Sequence, residues 1–269
     1  MNRTIIIAEI GENHMGDMEM ARRMIDEAAD AGADIAKFQS YLGVDVAEDD
    51  PEREWFTQVE LSEEMHHQLK DHAESRGIEF LSSPFTVERA QLLCEGLGLS
   101  KIKIASSEML NFPLLDYVNR HADTVFLSTG LANLSEIEEA VSHLEQVRNR
   151  YILHCCTQYP TLDHQANLRA IPLMQIAFPG NSIGFSDHTL GLDASVAAVA
   201  MGARVIEKHF TLDKDLPGTD HVLSVTPEEL RELVTRIRRT ETLLGDPVKQ
   251  PQPEELEILE FVRSRFPKN

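Results

Sequence analysis

Residues 5–39 read IIIAEIGENHMGDMEMARRMIDEAADAGADIAKFQ. Ile5–Glu9 is a short apolar run that closes on a carboxylate. Met18–Ala31 is an amphipathic stretch at helical spacing, and Gly32 stops it. Ile35–Gln39 is a second apolar run. A strand, a helix and a second strand with short joins make one unit of a parallel sheet. The pattern continues outward from this unit. Strand-like runs recur at Glu79–Ser83, Lys101–Ser106, Thr124–Thr129, Tyr151–Cys155, Ser182–Ser186 and Val205–His209. Helical stretches lie between them at Ser62–Arg76, Val87–Leu97 and Leu134–Val147, with Pro227–Leu244 after the last strand. Ser62, Ser135 and Thr226 mark helix starts, and Gly77, Gly98 and Gly245 mark stops. Eight alternations predict an α/β chain folded as a (β/α)8 TIM barrel. An open doubly wound sheet is the competing architecture, but no G-x-G-x-x-G follows the first strand.

The 269 residues suit one such barrel, which we place at 1–246. Pro247, Pro251 and Pro253 then form a short stiff linker. Leu256, Ile258, Leu259, Phe261 and Val262 form a helical stripe in a C-terminal segment reaching Asn269. That stripe needs a surface, on its own barrel or on a second copy in a homodimer. No apolar run approaches the roughly 20 residues that cross a bilayer, so no membrane partner is expected. The 45 Asp+Glu against 25 Lys+Arg argue against nucleic acid. An anionic ligand would need local lysines to reverse that field. Cys94, Cys155 and Cys156 form no C-x-x-C pair. They fit buried thiols in a reducing cytoplasm.

Strand ends on the C-terminal face of a barrel carry its chemistry. Here they are polar: Glu9 with Asn13 and His14; Lys37 and Gln39; Ser82 and Ser83; Lys103, Ser106 and Glu108; Ser128 and Thr129; His154, Thr157 and Tyr159; Ser186, Asp187 and His188; Glu207, Lys208 and His209. We expect this ring to converge on one pocket. His188 and His209 close neighbouring strands and are the candidate metal pair. His66, His67 and His72 sit on a predicted helix and are expected to be solvated. Lys37 and Lys103 lie within apolar runs, where an unpaired ammonium is costly. Each needs an anion: Glu9 or Glu108 in a salt bridge, or a phosphate or carboxylate ligand. Ser83, Ser106 and Ser186 would add neutral donors to such a ligand. Glu9, Glu108 and Asp220 are candidate proton handlers or hydroxyl binders. Cys155 and Cys156 read as core. The long loops Ser40–Leu61 and Thr157–Asn167 are expected to be functional.

Taken together, IIAEIGENHMGD at 6–17, AGADIAKFQ at 31–39, FLSSPF at 80–85, KIASSEMLNFPLL at 103–115, HCCTQYP at 154–160, GFSDHTLG at 184–191 and GARVIEKHFTLDKDLPGTDHVLS at 202–224 resemble the sialic acid synthase family. The matches follow the family's order and cover almost the whole barrel. The resemblance implies an enzyme that condenses phosphoenolpyruvate with an aldose, such as N-acetylmannosamine, to a 3-deoxy-2-ulosonic acid. It implies a divalent cofactor, manganese or magnesium, on His188 and His209. It places Lys37, Ser83, Lys103, Ser106, Ser128, Thr157 and Ser186 on phosphoenolpyruvate. Glu108, Tyr159 and Asp220 would meet the sugar, and Glu9 would activate water; Glu9, Lys37, Lys103 and Glu108 form the implied catalytic set. The family's usual antifreeze-like C-terminal domain is not expected within these 269 residues. Thr219 stands where the family usually has proline, Cys156 where it has threonine, and Ser107 where it has glycine. Two other readings stay open: a synthase for a phosphorylated or non-acylated aldose, and a non-catalytic barrel that only binds.

Overall fold

A computed structural model describes residues 3–266. Its strands are β1 (Ile5–Gly11), β2 (Ile35–Ser40), β3 (Glu79–Pro84), β4 (Lys101–Ile104), β5 (Thr124–Ser128), β6 (Asn149–Cys155), β7 (Ser182–Asp187) and β8 (Val205–His209). The helices are α1 (Met18–Ala31), α2 (Arg53–Val59), α3 (Glu63–Ser75), α4 (Val87–Gln91), α5 (Phe112–His121), α6 (Leu134–Ser142), α7 (Ala170–Ala177), α8 (Asp193–Ala200), α9 (Pro227–Leu244) and α10 (Leu256–Arg263). Parallel ladders run in the order β3-β2-β1-β8-β7-β6-β5-β4. The first strand pairs with the last, and β3 packs against β4 to complete the ring. The chain is a (β/α)8 barrel.

Two cores hold it. The larger lies between the strands and the surrounding helices. The smaller, Ile7, Ile35, Leu81, Phe126, Leu153 and Val205, fills the barrel interior. Gly184 belongs to this interior, because an added Cβ would stand 2.4 Å from Leu153 and 2.8 Å from the Val205 carbonyl. Side chains alternate along a strand, so the residue two positions on faces the same way. Adding two to each interior residue gives Glu9, Lys37, Ser83, Ser128, Cys155 and Glu207. The barrel axis therefore passes from an apolar layer into a polar one.

Three local expectations are corrected. The stretch predicted as helix at Val87–Leu97 is α4 followed by a wider turn over Leu92–Gly96. The stretch predicted at Leu134–Val147 ends as α6 at Ser142, where the His143 ring stacks on Phe112 and meets Asp116 at 2.7 Å. His66 is buried, not solvated. It shares the inner face of α3 with Leu69 and Ala73, and its Nδ1 donates to the Ser62 carbonyl at 2.9 Å. The stripe on α10 does not cap the barrel: Leu256, Ile258 and Phe261 stay exposed, and residues 267–269 lie outside the described part. No helix among the described residues is long and apolar enough to cross a membrane.

Candidate active site

The polar layer opens into a cavity of about 450 Å3 at the C-terminal strand ends. Its floor is a buried quartet from four strands. Lys37 Nζ meets Glu9 Oε2 at 2.7 Å, and Lys103 Nζ meets Glu207 Oε1 at 3.2 Å. Lys37 also lies 4.0 Å from Glu207 Oε2, which links the two pairs. Ser83 Oγ accepts from Lys37 at 3.0 Å, and Ser186 Oγ donates to Glu207 at 2.9 Å. The strand register causes this: Glu9 stands beside Lys37, and Ser186 beside Glu207. Burial raises the Glu9 carboxyl above the usual carboxylate range, against the opposing pull of Lys37. Burial would raise Glu207 too, but Lys103 and Lys37 outweigh it and hold Glu207 low. Desolvation lowers Lys103.

One layer further out stand His188 and His209, with ring centres 5.3 Å apart. His188 Nδ1 donates to the Cys156 carbonyl at 2.8 Å, which leaves its Nε2 lone pair free for a ligand. His209 Nδ1 is buried and makes no hydrogen bond, though Asp220 Oδ2 lies 3.3 Å away. Burial, then the neighbouring His188, hold His209 well below the usual imidazole range. Burial would lower His188 as well, but Cys155 and the Cys156 carbonyl raise it. Two imidazoles with an orphaned ring nitrogen fit a divalent ion that keeps positions for water and substrate. Among the described residues no group of three ligating side chains stands ready for a metal. Tyr159 covers the pair, its ring 4.1 Å from that of His188.

Of the predicted site residues, Glu9, Lys37, Ser83, Lys103, Ser106, Ser128, Tyr159, Ser186, His188, His209 and Asp220 line this one cavity. Ser128 is buried there with a hydroxyl that makes no hydrogen bond. Glu108 does not line it; its carboxylate accepts from Asn111 at 2.8 Å on the turn after β4. Thr157 does not line it either. Its buried Oγ1 sits 2.0 Å from where a Cβ on Gly130 would be, close to the Ser106 hydroxyl.

The expectation that every polar strand end converges is corrected. Lys208 and Asp187 point outward, paired at 3.1 Å under α8. Asn13 holds the Phe210 carbonyl, and His154 the Ala166 carbonyl. Cys155, read as core, lines the cavity beside His188. Glu207 and Gln39, expected in the ring of strand ends but given no role there, both line the cavity, as strand alternation from His209 and Lys37 requires. Glu12, Glu52, Trp55 and Phe56 also line the cavity. The last three come from the long segment that precedes α3, flagged by its length but not by residue.

The NeuB family matches residues 24–249. The N,N'-diacetyllegionaminic acid synthase of Campylobacter jejuni is 41% identical over 98% of this chain and 84% of its own. The N-acetylneuraminate-9-phosphate synthase of Homo sapiens is 36% identical over 93% and 74%. The crystal structure of N-acetylneuraminic acid (sialic acid) synthetase from Leptospira borgpetersenii in complex with citrate matches with a TM-score of 0.93 at 38% identity, covering 98% of this chain and 93% of that one. The chain therefore belongs to the NeuB family, whose enzymes condense phosphoenolpyruvate with a sugar to make nonulosonic acids.

Proposed function

We propose that this enzyme joins phosphoenolpyruvate to an open-chain N-acylated amino sugar, with water, to give a nonulosonic acid and phosphate. The observation that carries the reading is the buried Lys37–Glu9 and Lys103–Glu207 floor beneath the His188–His209 pair. The two lysines, with Ser83, Ser106, Ser128 and Ser186, hold the phosphate and carboxylate oxygens of phosphoenolpyruvate. The floor is formally neutral, so a trianionic substrate gains from added positive charge. His188 and His209 would hold that charge as manganese or magnesium. When bound, the ion supplies Lewis-acid polarisation of the aldehyde oxygen.

Carbon three of phosphoenolpyruvate bonds to the aldehyde carbon, and the aldehyde oxygen takes a proton to become a hydroxyl. Water adds at carbon two and gives its proton to Glu9, whose burial makes it a stronger base than a solvated carboxylate. The bond from carbon two to the phosphate oxygen then breaks with its electron pair going to phosphate, and the carbon-two hydroxyl passes its proton to the leaving phosphate, which leaves a ketone. Lys37 and Lys103 offset the charge that builds on the leaving phosphate. Tyr159 and Asp220 face the sugar. Relatives of 41% and 38% identity are N,N'-diacetyllegionaminic acid synthases, which supports an acylated amino sugar. The test is phosphate release from phosphoenolpyruvate across N-acyl hexosamines, diacetamido sugars, plain hexoses and phosphorylated aldoses. An N-acylated sugar should give the fastest release; a plain hexose outrunning every acylated sugar would reject the reading.

A further inference from the structure

We propose that Glu12 selects the acceptor sugar, taking a hydrogen bond from an uncharged N–H or O–H at the sugar's far end and turning away a phosphorylated one. This rests on the reading of the site given above. Glu12 follows the end of β1, three residues beyond Glu9, and lines the cavity while only 7% exposed. It touches neither lysine of the floor. The Trp55 indole donates to its carboxylate, and Thr219 Oγ1 lies 3.3 Å from Glu12 Oε1. The same hydroxyl lies 3.3 Å from Asp220 Oδ1, so one proton serves two carboxylates. Thr219 is the residue that departs from the proline usual in sequences of this kind.

Buried carboxylates are normally matched by cations or by several donors. Among the described residues no Lys, Arg or His pairs with Glu12. The only Lys or Arg side chains among the described residues that line the cavity are Lys37 and Lys103, and both are engaged by Glu9 and Glu207. Glu52 adds a third carboxylate to the Glu12 and Asp220 end. An amide N–H or a hydroxyl brought there adds a donor to the Trp55 indole and to the Thr219 hydroxyl that Glu12 shares with Asp220. A phosphate dianion brought there would face the carboxylates of Glu12, Glu52 and Asp220, with no unpaired Lys or Arg among the described lining residues to offset it. Trp55 fixes the position of this wall, packing 3.6 Å from where a Cβ on Gly218 would stand. Gly218 has φ +139°, a backbone that side chains disfavour, so the β8–α9 loop can close against the indole.

The test uses the full chain with manganese and saturating phosphoenolpyruvate, and reads phosphate release. The acceptors are N-acetylmannosamine, a diacetamido trideoxyhexose and N-acetylmannosamine 6-phosphate. At least one uncharged sugar should exceed the phosphorylated one in kcat/KM by about a hundredfold or more, two tenfold steps of differential binding. Glu12→Gln should narrow that ratio at least about tenfold and leave the KM for phosphoenolpyruvate in place. Thr219→Val should shift the ratio the same way by less. Equal use of the phosphorylated sugar by the unaltered enzyme overturns the inference, and needs no variant to fold. An unchanged ratio in Glu12→Gln, with the phosphoenolpyruvate KM intact, also overturns it. Release with none of the three sugars overturns the reading of the site, and the inference with it.

Discussion

Glu207 and Lys208 are neighbours on β8, both buried, both in ion pairs, and they serve opposite faces. Lys208 points out, where Asp187, the Thr189 carbonyl and the underside of α8 surround it. Asp187 in turn accepts from the Thr189 amide at 2.8 Å, from its hydroxyl at 2.7 Å and from Ser195. That network is fully paired. Glu207 points in, to Lys103 and Ser186, and around it polar atoms remain unmatched: Ser128 Oγ and His209 Nδ1 are buried without a hydrogen bond. Buried charge alone therefore does not mark the site. What marks it is buried polarity left incomplete beside an open cavity, where a ligand or water can reach and complete it.

The sharpest way to break this comparison is His209→Ala, on the inner face. Metal catalysis supplies several kcal/mol, so metal-dependent turnover should fall by about a thousandfold or more. Calorimetry should show manganese binding lost and the fold retained; retained binding would remove His209 from the ligand set. Lys208→Met is the outer-face counterpart. It strands Asp187 in the interior and should lower stability by about 3–5 kcal/mol, read from chemical denaturation. The kcat/KM of the folded fraction should stay close to that of the unaltered enzyme; a loss of activity without loss of stability would contradict the structural role. Lys103→Met returns to the inner face. Losing hydrogen bonds to a charged ligand, about 1.5–3 kcal/mol, should raise the KM for phosphoenolpyruvate roughly ten- to a hundredfold. The sugar KM should move less, and equal weakening of both would count against its place on phosphoenolpyruvate. The smallest effect tests the apolar layer below. Gly184→Ala should cost about 1–3 kcal/mol through overpacking against Leu153 and the Val205 carbonyl, seen as a lower Tm with unchanged substrate KM values.

The barrel was legible because its signals are local and repeat. The runs at Ile35–Gln39 and Val205–His209 coincide almost residue for residue with β2 and β8. The His188–His209 pairing and both floor lysines were legible as cavity residues because strand ends converge in a barrel wherever the helices lie. Glu207 was within reach: it is two residues from His209 and so on its face, just as Lys208 is on the other. Treating the strand ends as one ring hid that division. Glu12, Trp55 and Phe56 were out of reach. They come from loops, whose paths follow from tertiary packing such as the fit of Trp55 against Gly218. Burial of His66 was missed because its helix is polar overall, and only the spacing of His66, Leu69 and Ala73 shows the inner face.

One measurement bears on the incomplete inner face most directly: phosphate release from phosphoenolpyruvate, with and without a divalent ion, and with and without an N-acylated amino sugar. The account predicts release only when both are present, lost again on chelation and restored by manganese or magnesium. Release without sugar, or undiminished release after chelation, would contradict it.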